Sequence, residues 1–194
     1  MKYYAIKNGR KTGIFETWGE CKKYVIGYKN AIYKSFLTLE EANNFLNDQP
    51  LKEINYGLPT FYVDGSYDIN SGAYSYGGIL LIDSKEDFKF NKAFDCDEFS
   101  ISRNVSGEIF GAMFAINIAL GREYKEINIC YDYIGIEMWY KNLWKANTDI
   151  ALMYANFRDE IKDKIKINFI KIKSHTNNKY NDLADCLAKE ALGI

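Results

Sequence analysis

The sequence is short of cysteine pairs, proline, long apolar runs and net charge, and each shortage removes a class of explanation. Cys21, Cys96, Cys130 and Cys186 are widely separated with no Cys-x-x-Cys spacing, which excludes a zinc ribbon or a disulfide framework. Cys130 and Cys186 fall within apolar segments and are expected to act as small buried hydrophobes. No apolar run reaches about 18 residues, and Met1-Lys2-Tyr3-Tyr4 lacks a signal-peptide core. A reduced, cytoplasmic protein without membrane contact is therefore expected. Only two prolines occur, Pro50 and Pro59. They bracket one stretch, so residues 48–59 read as a short linker.

The formal net charge is only −1, yet it is unevenly distributed. Residues 1–50 hold eight Lys/Arg against five acids, a net of +3, and the remainder holds 17 against 21, a net of −4. A basic head on an acidic body suits a polyanion-gripping module joined to a metal-binding one. Apolar residues make up 47% of the chain, which excludes wholesale disorder.

Residues 1–47 read as a compact α+β unit. Tyr3-Tyr4-Ala5-Ile6 and Gly13-Ile14-Phe15 are strands around the basic turn Asn8-Gly9-Arg10-Lys11-Thr12-Gly13. Thr17-Trp18-Gly19-Glu20 and Thr38-Leu39-Glu40-Glu41 are capping boxes that open two helices, with a third strand at 31–36 between them. From Phe61 the elements lengthen. Strands are expected at 60–67, 73–82, 87–94, 127–132 and 165–173, and helices at 107–121, 134–141, 148–162 and 181–192. This order describes a mixed sheet with helices on both faces.

Four acids stand where predicted elements end or begin. Asp64 closes Phe61-Tyr62-Val63, Asp132 closes Ile127-Asn128-Ile129-Cys130-Tyr131, Glu108 opens an apolar helix, and Asp185 lies on the last helix. Carboxylates at the ends of core elements suggest a shared hard-metal site. Asp182 competes with Asp185 for the fourth place, because the two share a helix face and periodicity does not separate them.

These motifs in this order resemble ribonuclease H type 1. The matching stretches are Tyr62-Val63-Asp64-Gly65-Ser66, Arg103-Asn104-Val105-Ser106-Gly107-Glu108, Ile129-Cys130-Tyr131-Asp132 and the segment from His175 to Asp185, which includes Asn181-Asp182-Leu183-Ala184-Asp185. The resemblance implies an α/β fold with a mixed five-stranded sheet over 60–194, and it selects Asp185 over Asp182. It implies two Mg²⁺ ions, with Mn²⁺ as a substitute, held by Asp64, Glu108, Asp132 and Asp185. His175 would assist proton transfer or product departure. Gly65, Ser66, Asn104 and Glu108 would meet RNA 2′-hydroxyls, and Arg103 and Asn147 a DNA phosphate. Val105 and Tyr133 depart from the polar Gln and Ser common in the family.

Residues 3–46 resemble the hybrid-binding domain at the N-terminus of many type 1 ribonucleases H, also found in viral inclusion-body proteins. Tyr4-Ala5-Ile6, Gly9 to Phe15, Thr17-Trp18, Glu20-Cys21 and Tyr33-Lys34-Ser35-Phe36 carry it. It implies a three-stranded antiparallel sheet with two helices. Trp18 and Tyr33 would face deoxyriboses, Lys34 a DNA phosphate, and Arg10 and Lys11 the RNA strand. Ser35 stands where relatives commonly have a second lysine. The expected activity is endonucleolytic cleavage of the RNA strand of an RNA/DNA hybrid by a monomer, leaving 5′-phosphate and 3′-hydroxyl ends. A non-catalytic hybrid-binding protein and a superfamily nuclease acting on DNA are the alternatives.

Overall fold

The computed structural model describes residues 2–46, 54–172 and 178–194. The chain divides between Glu53 and Ile54 into two compact units. In the first, β1 (Tyr3–Asn8) is the central strand, flanked by β2 (Gly13–Phe15) and β3 (Ile32–Phe36), both antiparallel to it. Helices α1 (Trp18–Val25) and α2 (Leu39–Leu46) complete the unit. Ala5, Ile6, Cys21, Val25 and Ala42 form its small core.

Local chemistry sets these boundaries. The Thr17 hydroxyl accepts from the Glu20 amide at 3.2 Å and caps α1. At α2 the box is reciprocal: the Glu41 amide donates to Thr38 Oγ1 while the Thr38 amide donates to Glu41 Oε2. The Arg10 guanidinium donates to the Ile26 carbonyl at 2.7 Å and stacks near Tyr28. It thereby satisfies a carbonyl at the C-terminal end of α1.

In the second unit β4 (Thr60–Tyr67), β5 (Tyr74–Ile82) and β6 (Lys85–Phe94) form an antiparallel meander, and β7 (Glu126–Tyr131) and β8 (Lys166–Lys171) add in parallel. The strand order is β6-β5-β4-β7-β8. Helix α3 (Asn104–Gly121) packs on one face over Phe61, Val63, Leu80, Ile127 and Ile129, together with α4 (Gly135–Tyr140) and α5 (Asp149–Ile161). Helix α6 (Lys179–Leu192) covers the other face, where Tyr62, Ile79, Leu81 and Cys130 meet Ala184. Because both faces are covered, β4, β5 and β7 are buried along nearly their whole length.

Several expectations shift. Residues 54–59, placed in the linker by the prolines, lie with the second unit. Ile54 and Tyr56 pack on its core, and the buried Asn128 amide donates to the Asn55 carbonyl at 2.9 Å. Cys130 is buried as expected, whereas Cys186 is exposed, because it lies on the solvent side of α6. Among the described residues α3 alone is long and apolar enough to cross a membrane by length and composition; half of it is buried against the sheet, as for a core helix. A short 3-10 turn at Glu98–Ser102, capped by Asp97, precedes α3 and was not anticipated.

Candidate active site

Strand register builds the site. Tyr62 pairs with Cys130 across β4 and β7. Asp64 and Asp132 each lie two residues further on, so the pleat sends both side chains to the same face just beyond the last paired residues of β4 and β7. Asp64 is within β4, paired with Gly77, not at its end. The strand runs on through Gly65-Ser66-Tyr67, and of the four acids only Asp132 directly follows an element.

Glycine brings the helix to the strand. A Cβ built on Gly65 would stand 2.4 Å from both the Asn104 carbonyl and the Glu108 amide. Only a residue with no side chain permits the first turn of α3 to press on β4. That contact delivers Glu108, 2% exposed, beside Asp64. Gly77 plays the same part on the opposite face, where a Cβ would lie 2.3 Å from the backbone of Ala184 and Ala188. It seats α6, and with it Asp185, against β5.

Ligand atoms of Asp64, Glu108 and Asp132 lie within 4.8 Å of one another. The Asp64 carboxylate accepts from the Gly65 amide at 2.7 Å. Burial first, and then the charge of Asp132, push the Asp64 carboxyl up to about 7. Burial, followed by Asp64 and Asp132, holds Glu108 well above the ordinary carboxylate range. Glu108 Oε2 is fully buried and has no partner among the described residues. A buried carboxylate oxygen left without a donor, facing two further carboxylates, is what a divalent cation would satisfy. The all-oxygen donor set suits a hard ion such as Mg²⁺.

Asp185 stands apart from this triad but within electrostatic reach of Asp64. Its Oδ2 is engaged by Lys189 Nζ at 2.7 Å. Lys189 was missed in the sequence, although its i,i+4 spacing from Asp185 carries the signal. Asp182 lies in the first turn of α6, favourable to the helix dipole. His175 lies outside the described residues. Tyr133 is half-buried beside Trp139, and burial first, then the nearby Glu108, raise its hydroxyl pKa.

Around the triad, Ser66 is buried and Asn104 is exposed at the start of α3. Arg103 precedes α3 with a left-handed φ of 54°. Asn147 is exposed just before Thr148, the cap of α5. No hydrogen bond joins Arg103 to Asn147 among the described residues. Trp139 and Trp144 pack edge to face. In the first unit, Trp18 and Tyr33 are 40% and 41% exposed, so they do not fill its core. Their rings stack at 5.8 Å, with Tyr4 5.7 Å from Trp18. Lys34 is exposed on β3 with its ammonium over the Phe36 ring, and Lys11 lies over the Phe15 and Tyr24 rings.

Comparison with known proteins is decisive. Residues 58–193 match the family model described as RNase H, and residues 2–46 match the one described as the Ribonuclease H1 N-terminal domain. The chain belongs to the ribonuclease H family. Ribonuclease H of Saccharomyces cerevisiae is 52% identical over 58 residues, 30% of this chain and 16% of that protein. The chain thus aligns with well under two thirds of the length of this relative. The fold is that of RNase H1 from the archaeon Halobacterium salinarum, with TM-score 0.59, 20% identity, and 70% of this chain and 97% of that one covered. LC11-RNase H1, obtained from compost by a metagenomic approach and solved in complex with an RNA/DNA hybrid, superposes with TM-score 0.55 at 13% identity over 69% of this chain and 99% of that one.

Proposed function

We propose that this ribonuclease H family member is an endonuclease that hydrolyses the RNA strand of RNA/DNA hybrids, acting as a cytoplasmic monomer. One observation carries the chemistry: three carboxylates converge within 4.8 Å in a desolvated pocket, with Glu108 Oε2 lacking a donor among the described residues. Two Mg²⁺ ions, or Mn²⁺ in their place, would be held by Asp64, Glu108, Asp132 and Asp185. Bound there, they supply activation of a water and stabilisation of the departing oxygen, giving 5′-phosphate and 3′-hydroxyl products.

The protein's own part is positional. The Gly65 amide holds the Asp64 carboxylate within electrostatic reach of both Asp132 and Asp185, so Asp64 would help to hold both ions. Glu108 and Asp132 would complete one position and Asp185 the other. The close approach of Gly65 to Asn104 gathers the groups expected to read RNA 2′-hydroxyls: Gly65, Ser66, Asn104 and Glu108. Arg103 and Asn147 would meet a DNA phosphate, and His175 would assist proton transfer or product departure.

In the first unit the exposed Trp18–Tyr33 stack offers aromatic faces to deoxyriboses beside Lys34. Lys11, with Arg10, would approach the RNA strand, although the guanidinium of Arg10 already serves the end of α1. Asp132→Asn should lower turnover by roughly a thousandfold or more while leaving hybrid affinity within about twofold. Gel-shift and cleavage assays on the same preparation measure both, and retained cleavage refutes the site assignment.

A further inference from the structure

Among the described residues, one cation touches the acidic site. Lys189 lies one turn beyond Asp185 on α6 and donates from Nζ to Asp185 Oδ2 at 2.7 Å. Its ammonium also lies within electrostatic reach of Asp64. Asp185 is the acid absent from the 4.8 Å triad. Its engaged oxygen is one of only two that it can offer to a cation lying between it and Asp64.

We infer that Lys189 is a positioning residue that competes with the second divalent ion for Asp185 and so sets how readily that position fills. This inference rests on the metal-site reading above and adds a residue to it. The ammonium acts in two ways. It takes a carboxylate oxygen from the ion, and it places a positive charge a few ångströms from where a second one must come. The side chains of the pair are 50% and 41% exposed. A half-exposed i,i+4 pair opens at little cost, so it behaves as a competitor and not as a block.

The asymmetry follows from the geometry. Among the described residues no ammonium is paired with Asp64, Glu108 or Asp132, so the position they form should fill first. The Asp64–Asp185 position should fill second and more weakly. Removing the charge at 189 should therefore tighten the weaker ion selectively, by about three- to tenfold for one charge at this range in a solvated setting.

The test is a Mn²⁺ titration of the 194-residue chain without nucleic acid, with free ion counted by electron paramagnetic resonance. Wild type, Lys189→Gln and Lys189→Arg are compared. The expected result is a several-fold lower Kd for the weaker ion in Lys189→Gln, an unchanged tighter ion, and wild-type behaviour in Lys189→Arg. Equal affinities in Lys189→Gln and wild type, or weaker binding in the variant, overturn the competition while leaving the metal site intact. If wild type binds no Mn²⁺, or Asp64→Asn binds it as well as wild type, the metal-site reading fails and the competition falls with it.

Discussion

Burial and mutual repulsion hold the carboxyls of Asp64 and Glu108 above their ordinary range, that of Asp64 up to about 7. A group whose pKa is raised by folding lends stability below its unfolded value, and that stability is lost as pH rises through the folded one. For Asp64 the window opens near the ordinary 3.8 and closes near 7. Asp132 and Asp185 deepen the repulsion, and Lys189 opposes it in part. The melting temperature in EDTA should therefore fall between about pH 4 and pH 7, and excess Mg²⁺ should remove most of that fall by meeting the charge directly. A profile flat with pH in EDTA contradicts the electrostatic account. Backbone proximity makes Gly65 equally exacting. With a Cβ 2.4 Å from two backbone atoms, Gly65→Ala should cost about 3 kcal/mol or more. Denaturant melts measure the loss, and a near-neutral variant would mean that α3 yields more easily than its packing suggests.

At the scale of elements, the sequence disclosed most of what periodicity and capping encode. Thr17 and Thr38 marked both helices of the first unit, and alternation marked the strand around 165–173. It misplaced what long-range pairing decides. The strand at 60–67 is expected and is β4, but Asp64 reads as closing its apolar run Phe61-Tyr62-Val63. Pairing with β5 as far as Tyr74 places Asp64 in the strand's interior. Residues 54–59 read as linker from their prolines, but the Asn128 amide, 73 residues further along the chain, fastens Asn55. The triad's convergence needed the parallel register of β4 with β7, which no local pattern contains. Arg10 shows the converse: a basic turn residue expected near RNA has its guanidinium on the Ile26 carbonyl. Arg10→Ala should destabilise the first unit by about 1 kcal/mol, and a thermal melt unchanged from wild type would free Arg10 from that role. Trp18→Ala, by contrast, removes an exposed stacking ring. It should weaken hybrid binding about tenfold with kcat unaltered at saturating substrate, and unchanged affinity would return Trp18 to a structural role.

For the whole molecule, the proposed function divides the labour: the head of net positive charge would grip and the acidic body would cut. Affinity for the phosphate backbone should then reside in the head and respond to salt. Ser35 is exposed on β3 next to Lys34, so a lysine there can be added without disturbing the core. Ser35→Lys should tighten hybrid binding and steepen the dependence of log K on log salt by about one unit; an unchanged slope would remove β3 from the interface. The central claim is that the body cuts only RNA, and only when RNA is paired with DNA. The most direct measurement incubates the full chain and Mg²⁺ with three duplexes of matched sequence, RNA/DNA, RNA/RNA and DNA/DNA, each labelled on both strands in turn. The account predicts cleavage of the RNA strand of the hybrid alone, with 3′-hydroxyl ends. Cleavage of any DNA strand or of duplex RNA, or an intact hybrid, would contradict it.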